Sequence, residues 1–474
     1  MTSVSRAHAA RDVLIGLSGR VLNLGLGLIV VILVARTLGV EGSGVWASLL
    51  AVTTIAGTVA DLGMEQVAVR RMAADPDEEP DVLGALLVVR TALAVVATLG
   101  AFVACVLLVE GEVLAGALVS ATVLAVAPQT LRAAFQVRVR NDRTIAILTF
   151  NSLIWAAAVV AIAALDGGLV AFAAGLLVTT LITTALATTW VSRVARIAFD
   201  RVRRHARELL GVGLVVGLGL TLTSAYGRIA QVLVLELDGE RGAGLYAAAF
   251  LLVERAQVAP MAVMATLYPL ISAAWPSEPD RARSLVEAGL ELMTLVSLPT
   301  LGFTLVASEP LIELLYGDDF RAAADLLPIL TAAFVLICWG YVFGFCSLVV
   351  GRQVAATAVA AVVLVATVGL GLLLIPDGGA EAAAWITLAT EALAIVVMGS
   401  IVLRAFALRP RAARLPRVVL AAAAMTGVVA ALDSLGVHVI ALAVVAGIVY
   451  AAALLMLGGI SPEDRALLRG RLRR

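Results

Sequence analysis

Fourteen apolar stretches, each close to the length that a helix needs to cross a bilayer, follow one another along the 474 residues with only short polar segments between them. A crossing takes about 20 residues at 1.5 Å rise each. The stretches, numbered here as spans 1 to 14, lie near 12–36, 43–69, 82–108, 113–137, 144–165, 168–192, 208–235, 243–271, 285–307, 323–350, 354–375, 380–403, 417–432 and 437–457, the last two being the shortest. Composition agrees: 62% of residues are apolar and 14% charged, with a mean hydropathy of +1.04. A soluble domain carries about 25% charged residues, so this surface must be solvated mostly by lipid. Basic and acidic residues balance at 34 each, which removes the case for a nucleic-acid partner held by a basic surface. Cys105, Cys338 and Cys346 all fall inside apolar runs and read as small core residues, not as a disulfide framework or thiolate metal site. The first apolar run continues past signal-peptide length with no small-residue cleavage site, so a cleaved leader is not expected.

Orientation is set by the arginines, since the chain contains no lysine. With the N-terminus inside, 26 arginines fall on the cytoplasmic side, three (Arg36, Arg241, Arg321) fall outside, and five lie within spans. Cytoplasmic loops of membrane proteins concentrate positive charge, so both termini are expected in the cytoplasm of a multi-pass plasma (inner) membrane protein. The basic linker 191–208 and the stretch 404–417 then divide the chain into an N-terminal six-helix bundle (1–200), a C-terminal six-helix bundle (201–408), and two extra helices with a basic tail (409–474).

The two bundles share a faint repeat. Glu41-Gly42-Ser43-Gly44-Val45-Trp46-Ala47 aligns with Arg241-Gly242-Ala243-Gly244-Leu245-Tyr246-Ala247 at an offset of 200, and both copies sit between the first two spans of their bundle. Each half holds an even number of spans, so the repeat is parallel, about an axis along the membrane normal, and a cleft is expected at its interface. The expected architecture is therefore all-α and membrane-embedded: about 14 transmembrane helices, two parallel six-helix halves around a central cleft, plus two C-terminal helices. Prolines at 128, 260, 269, 299 and 328 interrupt spans 4, 8, 9 and 10 and permit bending there.

Enzyme motifs fail on inspection. Gly211, Gly213, Gly217 and Gly219 resemble a phosphate loop, but no strand precedes them and no Lys-Ser/Thr follows, so a closely packed or flexible helix is expected. His8, His205 and His438 show no ligand spacing. Asp318 and Asp319 adjoin in the outer segment 308–322, where a solvated turn is the better reading than a metal-dependent sugar transferase. No catalytic residue, metal or cofactor is expected.

What remains is charge embedded in the spans, which lipid tolerates poorly and which therefore reports function. The cations are Arg20, Arg90, Arg132, Arg228 and Arg255; the anions noted are Asp61, Glu65, Glu254 and Glu391. Arg132, Asp61 and Glu65 lie near a cytoplasmic helix end, where snorkelling or a structural pair with Arg70 or Arg71 suffices. Arg228 and the Glu254-Arg255 step lie deeper, and two arrangements remain open: a polar cavity, or an Arg228–Glu254 pair that locks two helices. Guanidinium groups stay charged in a low dielectric and grip phosphate through paired hydrogen bonds, so an arginine-lined cavity points to a phosphate or diphosphate anion. Tyr226 and Trp155 are candidates for stacking on sugar rings.

Two segments carry a family resemblance. LVARTLGVEGSGVWASLLAVTTIAGTVADLGMEQVAVRRMA (33–73) resembles the start of bacterial polysaccharide flippases, the O-antigen and exopolysaccharide lipid-carrier exporters, with the Arg-x-Leu-Gly…Gly turn and the Asp-Leu-Gly followed by basic residues. LIELLYGDDFRAAADLLPILTAAFVLICWGYVFGFCSLVVGRQ (311–353) is similar to that family's span 9 to 10 segment, with its Tyr-Gly-Asp-x-Phe turn. The likeness runs over 12–403 and marks the multidrug, oligosaccharidyl-lipid and polysaccharide exporter superfamily, which implies a core of six plus six spans with two optional final ones. The superfamily includes lipid II flippases, in which arginines are expected on spans 1 and 8, where Arg20 and Arg255 lie here.

The expectation is a flippase translocating a polyprenyl-diphosphate-linked oligosaccharide for cell-surface polysaccharide biosynthesis. Its diphosphate would pair with Arg20, Arg90, Arg228 and Arg255, Tyr226 would stack on sugar, and Glu254 or Asp61 would couple an ion. Partners expected are the lipid-linked substrate, membrane lipid, and a glycan polymerase or glycosyltransferases. A lipid II flippase, a cation-coupled multidrug exporter, a membrane glycosyltransferase and a non-transporting scaffold are the rivals.

Overall fold

The computed structural model describes residues 3–138, 141–408 and 415–458, with side chains from Asn23 onward except at 24, 141, 215 and 216. Residues 409–414 of the basic stretch 404–417 and the tail after 458 thus lie outside the described residues. Every regular element among the described residues is helical, and eleven helices are long and apolar enough to cross a membrane. Three of these are double-length, with two crossings each meeting at an elbow. The helix Ser3–Asp61 turns at Gly39 (φ 69°, ψ −173°), Val202–Ala256 at Gly239 (φ 80°, ψ −175°) and Gln353–Ala405 at Gly379 (φ 53°, ψ −146°). That backbone conformation is open to glycine and strained for other residues. Counting each of the three twice gives the fourteen crossings expected. The first two elbows stand 200 residues apart with nearly identical angles, so the repeat read from the sequence is a repeat of backbone conformation as well.

The helices are sorted as lipid demands. On span 3, Val96, Leu99, Val103 and Leu107 are 54–75% exposed along one face, while Ala94, Ala97, Ala101 and Cys105 are buried on the other. Large apolar side chains meet lipid, and small ones let helices approach closely. The three cysteines are free and buried, as expected of core residues. Span 8 is interrupted at Gln257, between the helices ending at Ala256 and starting at Val258. Pro260 is the reason, because it lacks the N–H that would bond the Ala256 carbonyl. Pro128 likewise falls in a 3-10 stretch, Ala127–Arg132, that breaks span 4.

The chain divides into two compact units, Met1–Ala247 and Ala248–Arg474. In the first, the linker after Ser192 runs extended before the helix that begins at Val202, and it is fastened to the turn between spans 2 and 3. The Ala198 N–H donates to the Pro80 carbonyl at 3.0 Å, and a Cβ on Gly84 would be driven into the Ala198 carbonyl oxygen. Glu78 takes Arg71 and, at 3.6 Å, Arg204, while Arg71 also reaches Glu208 at 3.4 Å. His205 lies 1% exposed beneath this network. Gly84→Val should lift the linker, since overpacking costs roughly 1–3 kcal/mol. Limited trypsinolysis should then cut at the exposed Arg193 and Arg196 about tenfold faster than in the parent chain.

In the second unit, span 9 (helix Pro279–Tyr316) carries the final two helices, Leu415–Asp433 and Val439–Met456. Gly302 accommodates Thr426 and Met425 of span 13, and Tyr450 of span 14 donates its hydroxyl to the Leu295 carbonyl at 2.9 Å. These helices are thereby fixed parts of the unit.

Candidate functional site

In the first unit the embedded charges gather at a break in span 2. The helix ends at Asp61, Leu62 and Gly63 take positive φ (43° and 67°), and a new helix starts at Met64. Asp61 thus sits at a helix C-terminus, where the backbone dipole disfavours a carboxylate, and Glu65 sits in a first turn, where the dipole favours one. Arg90 of span 3 answers both: it is hydrogen-bonded to Asp61 and lies 3.7 Å from Glu65. Gln136 donates to Glu65 at 2.6 Å, and Arg132, whose Nε donates to the Gln129 carbonyl at 3.0 Å, is within electrostatic range of both Glu65 and Arg90. Two carboxylates and two guanidinium groups balance each other here. The pairing expected with Arg70 or Arg71 is therefore corrected: Arg90 is the partner, because the break turns both carboxylates toward span 3, while Arg71 is engaged by Glu78 and Glu208.

Arg228 lies on span 7, one helical step from Ser224 and just under one turn from Gln231. Those two neighbours contact span 2: Thr58 donates to Ser224 at 3.1 Å, and Gln231 donates to Ser48 at 3.1 Å. Residues at i, i+4 and i+7 share a helix face, so Arg228 belongs to the side of span 7 that faces span 2. Tyr226 is half-buried on the same helix. Trp155 stacks on Trp46, with ring centroids 6.3 Å apart and Phe172 completing the cluster, so its face is already occupied by protein. Arg20 lies on the first helix, and its side chain is outside the described residues.

The second unit holds a different set. Gln257, at the interruption of span 8, accepts a hydrogen bond from the Tyr341 hydroxyl of span 10 at 3.2 Å. Glu254 of span 8 and Glu391 of span 12 both lie within electrostatic range of that hydroxyl, and Glu391 is 8% exposed. Arg255 follows Glu254 directly; its Nε is buried and has no hydrogen-bond acceptor among the described residues. Asp318 and Asp319 are exposed on a short 3-10 turn, the solvated turn expected.

Sequence reasoning missed several polar residues. Glu287 and Glu291 lie four apart on span 9, with Arg283 3.5 Å from Glu287. A Thr-rich face of span 6 meets spans 4 and 5, with Thr183 donating to Asn151 at 2.8 Å and Gln129 donating to Thr184 at 2.9 Å. Neutral hydroxyls hardly depress hydropathy, so only their i, i+4 spacing was available to flag them. Among the described residues no group of His, Cys, Asp and Glu is arranged to hold a metal ion.

Solved structures share this architecture. The chain has a TM-score of 0.73 to the lipid II flippase MurJ in an inward closed conformation, at 12% identity over 95% of this chain and 98% of that one. It has a TM-score of 0.67 to an inward-facing multidrug resistance MATE family transporter of the MOP superfamily, at 15% identity over 82% and 98%. A MOP superfamily transporter from Pyrococcus furiosus, described as having a binding pocket of reversed polarity, gives 0.58 at 15% identity over 82% and 93%. None of the curated proteins matches the chain. The fold is thus the one built by MOP superfamily transporters. More narrowly, the polysaccharide biosynthesis protein family matches residues 33–325, more than half of the chain, and the protein belongs to it.

Proposed function

We propose that this protein is a flippase that moves a polyprenyl-diphosphate-linked oligosaccharide across the plasma membrane by alternating access. The observation that carries the reading is the extent of the structural match. The lipid II flippase is covered over 98% of its length and takes in 95% of this chain, whereas the multidrug transporters take in 82%. The two final helices docked on span 9 suit a substrate whose tail stays in lipid beside the protein. Membership of the polysaccharide biosynthesis family supports a glycan as the cargo. Arg255, whose buried Nε has no acceptor among the described residues, and Arg228, on the side of span 7 that faces span 2, are the groups for the diphosphate. Tyr226, two residues from Arg228 and half-buried, is the group we assign to the sugars. Arg90 is balanced by Asp61 and Glu65, so its role, and that of Asp61, is to hold spans 2 and 3 together. Ion coupling falls to Glu254, with Glu391 beside the same tyrosine.

A second reading, transport of lipid II, is favoured by the same match. Depletion in the native host separates the two. A build-up of polyprenyl-diphosphate oligosaccharide on the inner leaflet, with surface glycan lost and peptidoglycan precursor unchanged, is the expected result. Accumulation of lipid II establishes the second reading, and drug sensitivity with neither lipid accumulating overturns both.

A further inference from the structure

Span 7 runs antiparallel to span 2 within the first unit, and the contacts of span 2 with span 7 and with the elbow that leads into span 8 fall in order from one end to the other. Gly44 meets Glu240 and Gly244, Ser48 meets Gln231, Thr58 meets Ser224, Leu62 meets Gly217, Met64 meets Gly213, and Arg71 meets Glu208. The ends and the middle of this seam differ in kind. At the elbow end, a Cβ on Gly44 would be driven into the Glu240 carbonyl oxygen, and a Cβ on Gly244 into the Val40 carbonyl oxygen. Residues 40 and 44 correspond to 240 and 244, so one contact is made twice, once from each copy of the repeat. At the other end, a Cβ on Gly217 would be driven into the Leu62 backbone, and one on Gly213 would come within 3.2 Å of the Leu62 oxygen. Between the ends lie Ser48, Gln231, Thr58, Ser224 and the face that carries Arg228.

Backbones that touch through glycine exclude both water and lipid, while the hydroxyls and amide of the middle need polar company. We propose that the seam is a two-ended clasp, closed at each end by glycine, and that the two ends open alternately, enclosing the Arg228 level between them. The inference rests on the alternating-access reading and adds to it which residues shut each end. Glycine is needed because the facing backbones leave no room for a Cβ. A side chain at either end wedges that end alone. Overpacking of this kind shifts the local open–closed balance by about 5- to 150-fold.

The test uses the full-length chain in membrane vesicles with the three buried cysteines replaced by alanine. Single-cysteine reporters S48C, near the elbow end, and T58C, near the Leu62 end, are labelled with a membrane-impermeant maleimide applied from either face. Gly44→Val and Gly244→Val should each raise labelling of S48C from one face at least fivefold. Gly217→Val should raise labelling of T58C from the opposite face. Gly57→Val, where an added Cβ meets nothing within 4 Å, should change neither. Wedges that expose the reporters from the same face, or folded wedged proteins with unchanged labelling, overturn the clasp. Failure of even Gly44→Ala and Gly217→Ala to fold also overturns it, because a contact that opens in each cycle cannot be one the fold depends on. Labelling needs no substrate, so these results stand apart from those of the depletion experiment: either proposal can fail while the other holds.

Discussion

Replacing Arg255 with alanine should abolish surface glycan and trap its lipid-linked precursor on the inner leaflet while leaving the amount of folded protein near that of the parent chain. Arg228→Ala should behave alike. Removing one partner of a desolvated, hydrogen-bonded charge pair costs about 2–5 kcal/mol, which is roughly 30-fold or more in affinity for the anion. Arg255 carries the sharper expectation, since its Nε has no acceptor among the described residues to lose. Lysine is a diagnostic replacement: it keeps the charge but not the forked donors, so Arg255→Lys should recover only a fraction of the transport. Inner-leaflet accumulation is the measurement. Full transport by both alanine variants would remove the anion-binding assignment.

The second large effect is on stability. Arg90→Ala should lower the resistance of the protein to thermal unfolding in detergent by about 3 kcal/mol, the low end of the range for breaking a buried pair, because Asp61 keeps 21% side-chain exposure. The loss arises from two carboxylates left in a low dielectric with Arg132 as their remaining nearby cation. Removing the carboxylates together with the arginine, as in Arg90→Met with Asp61→Leu and Glu65→Gln, should recover most of it, since well-packed apolar residues commonly replace buried ion networks without penalty. A substrate-binding arginine gives the opposite signature, with stability kept and transport lost. If Arg90→Ala unfolds like the parent chain yet fails to export, Arg90 returns to the diphosphate site.

Those contrasting expectations mark where a linear reading stops. Arg90, Arg228 and Arg255 look alike along the chain: a single cation in an apolar run. Their difference is what stands opposite, and the opposing residue is remote in sequence. Asp61 is 29 residues from Arg90, and it turns toward span 3 because the helix breaks at Leu62 and Gly63. Nothing in Asp-Leu-Gly announces that break as different from an ordinary helix end. Tyr341 and Gln257 went unnoticed for the same reason, being unremarkable until two helices bring them within 3.2 Å. The glycines of span 7 were legible as a surface for close approach, though not as a surface for span 2.

The sequence by itself determined the solvent, the number of crossings, the breaks at Pro128 and Pro260 and the repeat at 200 residues, whereas Pro269, Pro299 and Pro328, expected to interrupt spans 8, 9 and 10, lie inside continuous helices. The features it determined follow from local quantities: transfer free energy summed over about 20 residues, the missing N–H of proline, and the φ that glycine alone reaches freely. The tertiary structure decided which embedded charges neutralise each other, which helix face Arg228 shares, and that span 2 meets span 7 at one end, and the elbow into span 8 at the other, through bare backbone. Those outcomes depend on Coulomb and steric terms that act over a few ångströms between residues up to 200 apart, and no property of either residue alone carries them.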